Sequence, residues 1–212
     1  LSSVQAMVDT SHVIEVVKKP TLDDTVTKRV AFLTAYQNVT YAQRYAALVA
    51  QVRQVDVLWG KTALSEAVAH NLFKLMAYKD EYEVARLYTE GSFMAKIAQQ
   101  FEGDYQLHFH LAPPLWAKTN GKGELLKQRF GPWAMAGFKL LARLKGLRGG
   151  ALDVFGRSDE RRQERDWIDR YQAMWQEISP VLTVGPDTVS AACYQNALSL
   201  ALIPQDIRGF GH

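Results

Sequence analysis

The sequence contains almost no cysteine, and this absence limits the chemistry that the chain can carry. Cys193 is the single cysteine among 212 residues, which excludes a disulfide scaffold. An iron–sulfur cluster held within this chain is excluded as well, because such clusters need about four cysteines. The neighbours of Cys193 are small and apolar, so we predict a buried thiol that takes no part in nucleophilic chemistry.

The sequence also lacks a long apolar run and a strong charge of one sign. The longest uncharged stretch, residues 188–205, is interrupted by Ser, Asn and Gln, so we predict no membrane span and no membrane partner. The 25 Lys and Arg residues against 22 Asp and Glu leave a net charge of +3, too small to indicate nucleic acid as a partner. The first residues have no basic region followed by an apolar run, so we predict no signal peptide and expect a cytoplasmic piece of a longer protein.

Apolar spacing indicates a mainly α fold. Hydrophobic residues make up 48% of the chain, and most recur every three or four residues, as on the buried face of a helix. We predict a helical domain of about six helices with one β-hairpin inserted mid-chain. Residues 1–20 are predicted to be a linker or joining arm, and residues 21–212 a single, mostly helical C-terminal accessory domain of a larger chain.

Capping and breaking residues give the predicted limits of the six helices. The first starts with a capping box at Thr21, bends near Asn38 and ends at Gly60. The second carries apolar residues from Leu64 to Ala85 on one face. The others run from about Phe93 to Phe101, from Pro132 to Gly146 or Gly149, from Ser158 to Pro180, and from Thr188 to about Leu202 before Pro204.

A change of period to strand alternation predicts the hairpin. Its strands are residues 105–111 and 125–130, and its turn lies near Gly121. His108 and His110 fall on one face of the first strand, where two imidazoles could share a metal ion. A metal site needs further ligands that the neighbouring sequence does not offer, so we interpret them as a polar strand face.

A cluster of charges lies within the second predicted helix. Lys79 falls on the same helical face as Leu75 and Met76, with Glu83 four residues on and Arg86 following. An unpaired charge facing a core is very unfavourable, so we predict that Lys79 and Glu83 pair. The simpler interpretation is a structural ion pair that fixes helix packing; the alternative hypothesis is that the cluster positions a partner surface.

Two further features indicate contact surfaces. Lys139, Arg143, Lys145 and Arg148 form a predicted basic patch that could receive an anionic ligand or partner. The alternative is a solvated helix face whose cations lie near the helix C-terminus for local reasons. Trp133, with Trp116 and Phe130, gives an aromatic-rich mixture of the kind enriched at interfaces.

Several long strings, in order along the chain, together resemble one family. They are residues 29–37 (RVAFLTAYQ), 71–88 (NLFKLMAYKDEYEVARLY), 100–105 (QFEGDY), 109–115 (FHLAPPL), 130–133 (FGPW), 141–149 (LARLKGLRG) and 207–212 (IRGFGH). Over about residues 21–212 the chain resembles the C-terminal region of the fused indolepyruvate:ferredoxin oxidoreductases, a branch of the 2-oxoacid:ferredoxin oxidoreductases.

The resemblance implies an activity for a parent enzyme rather than for this segment. Such a parent oxidatively decarboxylates an aryl 2-oxoacid to an acyl-CoA and reduces ferredoxin, using thiamine diphosphate and iron–sulfur clusters. The motifs for these cofactors do not occur in this sequence, so we assign no catalytic, cofactor-binding or metal residue to it.

Two hypotheses follow from the resemblance. In the first, the chain is a non-catalytic segment that acts in assembly or at a domain interface, with the other domains of a homo-oligomeric parent as partners. The alternative is a docking module that receives a ligand, such as a CoA phosphate, or ferredoxin on the basic patch near Arg143–Arg148.

Overall fold

The computed structural model describes residues 19–111 and 126–207, and this part of the chain is mainly α, as predicted. The helices are α1 (Leu22–Tyr36), α2 (Val39–Leu58), α3 (Ala63–Met76), α4 (Glu81–Thr89), α5 (Gly91–Gln100), α6 (Ala134–Arg143), α7 (Asp159–Leu182) and α8 (Ala191–Leu202). Strands β1 (Phe109–Leu111) and β2 (Gln128–Phe130) form one antiparallel hairpin. The predicted hairpin turn near Gly121 and most of the predicted joining arm lie outside the described residues.

The first predicted helix is in fact two helices. Helix α1 ends at Tyr36, and Asn38 takes an extended conformation in which its side chain accepts a hydrogen bond from the Tyr41 backbone N–H at 2.8 Å. The prediction of one bent helix through Asn38 was therefore wrong, because a residue that caps a new helix cannot also continue the old one.

Removing this cap should destabilise α2 measurably. We expect Asn38→Ala to lower the free energy of unfolding by about 1 kcal/mol, since alanine offers no acceptor to the orphan N–H group. Urea denaturation would measure the loss, with Gln43→Ala, an exposed position within α2, as the control. Equal stability of the two variants would contradict the capping role.

The second predicted helix is also divided. Helix α3 ends at Met76, residues 77–80 are not helical, and the Asp80 side chain caps α4 by accepting from the Glu83 backbone N–H at 2.8 Å. Lys79 lies in this break and not on a helix, so it shares no helical face with Met76, and it is exposed. These two breaks explain why the described residues hold eight α-helices where about six were predicted.

Some of the other predicted boundaries were confirmed, but both strands are shorter than predicted and the last helix begins later. Strand β1 begins at Phe109 rather than at residue 105, β2 at Gln128 rather than at residue 125, and α8 at Ala191 rather than at Thr188. Thr21 forms the capping box with Asp24, Ser158 caps α7, and Gly60 has a φ of 60°, the left-handed region that favours glycine. Pro180, by contrast, does not end α7. The helix continues to Leu182, which is buried and whose carbonyl accepts a hydrogen bond from the Trp59 indole at 2.9 Å.

The buried side chains form a large and a small cluster. Helices α1, α2, α3, α7 and α8, which we call the main bundle, enclose the larger cluster around Tyr45 and Trp175. Helix α4, α6 and the hairpin, which with α5 we call the small lobe, share a cluster of Ala85, Phe109 and Phe138. None of the described helices is long and apolar enough to cross a membrane.

One histidine in the main bundle links stability to pH. The Arg29 guanidinium donates a hydrogen bond to Nδ1 of His70 at 3.3 Å, which requires a neutral imidazole. Burial and the nearby cation lower the pKa of His70 from its ordinary value of 6.5. The unfolded chain therefore takes up this proton more readily, so stability present above pH 6.5 is lost as the pH falls towards the lowered pKa.

The expected effect is small because His70 lies at the surface. We predict that the melting temperature falls more between pH 7 and pH 5 for the wild type than for His70→Gln, which keeps an acceptor but does not titrate. The difference should correspond to less than about 1 kcal/mol. Parallel melting-temperature curves for the two proteins would contradict it.

Candidate functional site

A buried ion pair connects the N-cap of α4 to the segment that follows α6, and its arginine also contacts α1 of the main bundle. The Arg148 guanidinium donates hydrogen bonds to both carboxylate oxygens of Asp80, at 2.5 and 2.8 Å, and one to the Tyr36 carbonyl at 2.6 Å. Its carbon centre lies 3.7 Å from the centroid of the Tyr36 ring. Although burial alone would lower it, hydrogen bonding to Asp80 raises the pKa of Arg148, so this guanidinium stays charged.

The chain that follows Arg148 is held by a second buried carboxylate. Asp153 accepts hydrogen bonds from the backbone N–H groups of Gly149 at 2.7 Å and Gly156 at 2.9 Å, and from the Tyr82 hydroxyl at 3.2 Å. Burial and the neighbouring carboxylate raise the pKa of Tyr82 to about 12. A Cβ atom on Gly156 would lie 2.1 Å from an Asp153 oxygen, so this position requires glycine. The network acts as a structural clamp.

The structure separates the residues of the predicted Lys79 cluster. Glu83 is buried as predicted, but its partner is Arg86, which donates two hydrogen bonds of 2.8 Å to it. Lys79 is exposed, and the predicted Lys79–Glu83 pair was wrong. The buried acid next to it, Asp80, is the residue that the sequence analysis missed.

The predicted basic patch is also divided by the fold. Arg148 is buried against Asp80, and the Lys145 ammonium donates to the Ala35 carbonyl at 2.5 Å. Burial, with the nearby cations Arg86 and Arg148, lowers the pKa of Lys145. Only Lys139 and Arg143 of the four are exposed, so the prediction of one four-residue patch was wrong.

An exposed apolar stripe runs along α6, beside these two cations. Trp133, Gly137, Leu140 and Leu144 recur at intervals of three or four residues and therefore share one side of the helix. The side chains of Trp133, Leu140 and Leu144 are 69%, 59% and 38% exposed. We call these four residues the α6 face.

The opposite side of α6 is buried, which fixes the orientation of the stripe. Ala134 and Phe138 pack into the small-lobe cluster, where Phe138 contacts Phe109 at a ring distance of 4.9 Å. The Trp133 ring lies 5.8 Å from that of Phe130. Helix α6 is therefore apolar on two sides, and one of them contacts solvent. Trp133 was predicted as a contact residue, whereas Leu140 and Leu144 were missed although their spacing from Trp133 was readable.

The histidine and cysteine side chains that the sequence offered for metal binding or nucleophilic chemistry do not form a site among the described residues. His108 and His110 are both exposed, and within residues 19–111 and 126–207 no three His, Cys, Asp or Glu side chains are grouped so as to hold a metal ion. Cys193 is exposed, so the prediction of a buried thiol was wrong. It lies in the first turn of α8, where its small apolar neighbours are exposed too.

Comparison with known proteins gives a family without an assigned activity. Searches of curated proteins and of solved structures found no match to this chain. The model of DUF6537, described as a family of unknown function, matches residues 22–212. This match covers all the helices and both strands of the part of the chain that the structure describes. The chain therefore belongs to the DUF6537 family of unknown function.

Proposed function

We propose that this chain is a non-catalytic helical segment of a larger enzyme similar to the indolepyruvate:ferredoxin oxidoreductases. Its role is assembly, through a contact between the α6 face and a neighbouring part of that parent enzyme. The parent would decarboxylate an aryl 2-oxoacid and reduce ferredoxin, and its thiamine diphosphate, iron–sulfur clusters and CoA would bind outside this chain.

The single observation that carries the assembly role is the exposure of the α6 face. Trp133 is 69% exposed although no described side chain of the small lobe is larger. Large aromatic residues are enriched at protein interfaces, where a few such side chains supply most of the binding free energy. An exposed Trp next to two exposed leucines is typical of a contact surface and unfavourable in water. The resemblance of the sequence supports the identity of the parent.

The test compares the parent enzyme with a truncated form that lacks residues 21–212. We expect the truncated enzyme to lose thermal stability or its oligomeric state, and to recover it when the 212-residue chain is added back. Ferredoxin reduction with indolepyruvate, measured on the cofactor-loaded proteins, reports whether catalysis follows assembly.

Two variants of the added chain make this test specific. Leu140→Asp places a charge on the α6 face and should prevent recovery. Val57→Asp is the matched control, because Val57 is 72% exposed on α2, in the main bundle. Equal recovery with both variants, or a truncated enzyme as stable and as assembled as the intact one, would contradict the proposed function. Loss of ferredoxin reduction alone, in a fully assembled truncated enzyme, would favour the docking hypothesis.

A further inference from the structure

We infer that the α6 face binds an acidic protein surface. The inference rests on the proposed function and adds the chemistry of the partner: a carboxylate-rich surface with an apolar centre, on the neighbouring polypeptide of the parent enzyme. It is carried by the distribution of charge around the α6 face.

The segment that forms the α6 face contains no acidic residue. Between Leu125 and Leu152 the sequence has six Lys and Arg residues and no Asp or Glu. Two of the six, Lys145 and Arg148, are used inside the fold. The other four, Lys127, Arg129, Lys139 and Arg143, are exposed, and no salt bridge joins them to another described residue.

Two of these cations border the apolar stripe directly. Lys139 and Arg143 are four residues apart and therefore lie one turn above the other, along one side of the stripe. An apolar centre of Trp133, Leu140 and Leu144 with cations at its border has the anatomy of a protein interface. Complementarity then requires carboxylates on the partner opposite these cations.

The same charges disfavour the other occupants of the α6 face. A second copy of this chain, related by a twofold axis, would present the same segment, which has no Asp or Glu to pair with these cations. Residues 112–125 of the chain itself carry Lys118 and Lys122 against Glu124, so their net charge has the same sign. Lipid surfaces are bound by clusters of about four to eight cations; this segment has four exposed cations, the lower end of that range, and only two of them border the stripe. An acidic protein surface fits both the apolar centre and its cationic border.

The experiment measures the affinity of the 212-residue chain for the parent enzyme lacking residues 21–212. Titrations by calorimetry at low and high NaCl concentration would compare the wild type with Lys139→Glu/Arg143→Glu. We expect the reversed pair to weaken binding about tenfold or more at low salt, and to lose the salt dependence shown by the wild type. Lys28→Glu/Arg170→Glu makes the same change of net charge at exposed positions of the main bundle and should bind as the wild type does.

The outcomes separate this inference from the proposed function. If Leu140→Asp abolishes binding and Lys139→Glu/Arg143→Glu leaves it unchanged, the α6 face is a contact surface, but the inference of an acidic partner is wrong. If neither variant changes the affinity, both proposals fail. Tighter binding to phosphatidylserine vesicles than to the truncated enzyme would also overturn the inference, because the occupant would then be a lipid surface.

Discussion

Replacing Arg148 with methionine should lower the free energy of unfolding by about 3–5 kcal/mol, the range for removing one partner of a buried ion pair. The side chains of Arg148 and Asp80 are 2% and 4% exposed, so the variant leaves an unpaired carboxylate away from water. It also removes the hydrogen bond to the Tyr36 carbonyl. Urea denaturation followed by circular dichroism would measure the loss.

Two further variants make the prediction specific to the pair. Arg143→Met removes an exposed arginine five residues earlier and should change the stability by no more than about 0.5 kcal/mol. Adding Asp80→Asn to Arg148→Met should restore part of the loss, because asparagine is uncharged and still offers an oxygen to the Glu83 N–H. Equal losses of unfolding free energy for Arg148→Met and Arg143→Met would contradict the prediction, because the buried pair would then contribute no more than an exposed arginine.

The second large effect is expected at Asp56, a buried carboxylate at the end of α2. It accepts hydrogen bonds from the Ser65 backbone N–H at 2.7 Å, the Ser65 hydroxyl at 2.6 Å and the Tyr194 hydroxyl at 2.6 Å. Thr62, at the N-cap of α3, forms no side-chain cap of its own, so Asp56 takes that role from another helix. One carboxylate thus ties together α2, α3 and α8.

Asp56→Ala removes all three bonds and leaves buried donors without partners. We expect a loss of about 2–4 kcal/mol, because each unsatisfied buried donor costs about 1–3 kcal/mol and the Ser65 hydroxyl can still bond to the Thr62 carbonyl. Asp169→Ala is the matched control, since that carboxylate is 68% exposed in its pair with Arg44 and contributes less than about 1 kcal/mol. A loss for Asp56→Ala no larger than that of the control would contradict this assignment.

Local features of the fold could be predicted from the sequence because their causes are local. The capping box at Thr21, the cap at Ser158 and the left-handed glycine at Gly60 each depend on residues within one turn of the chain. The spacing of apolar residues predicted the mainly α fold because this spacing, too, depends on residues close in sequence. Where two helices follow each other in nearly the same phase, as at Asn38, the period alone does not show the break.

The buried charges could not be predicted because their partners are distant in sequence. Asp80 and Arg148 are 68 residues apart, and each alone is typical of a solvated surface residue. The wrong prediction for Lys79 and the missed Asp80 have one origin. The break at residues 77–80 was not detected, so the assumed continuous helix placed Lys79, and not Asp80, on the buried side. Once Arg148 is placed inside, the predicted basic patch is reduced to Lys139 and Arg143.

The α6 face could be predicted from the sequence only in part. Its spacing of Trp133, Leu140 and Leu144 was visible in the sequence, but α6 has apolar residues on two sides. The packing of Phe138 against Phe109 and Tyr88 decides which side is buried. The exposed side is the surface on which the proposed function and the inferred acidic partner both depend.

The most direct test of this account is the protection of a thiol placed on the α6 face. Leu140→Cys in a Cys193→Ser background should react freely with a thiol reagent in the isolated chain, because position 140 is 59% exposed. On addition of the truncated parent enzyme, we predict that this reaction slows at least about tenfold, whereas the exposed Cys193 of the wild-type chain keeps its rate. An unchanged rate at position 140 in the bound chain, or a thiol already protected in the free chain, would contradict the central claim that this face is the contact surface.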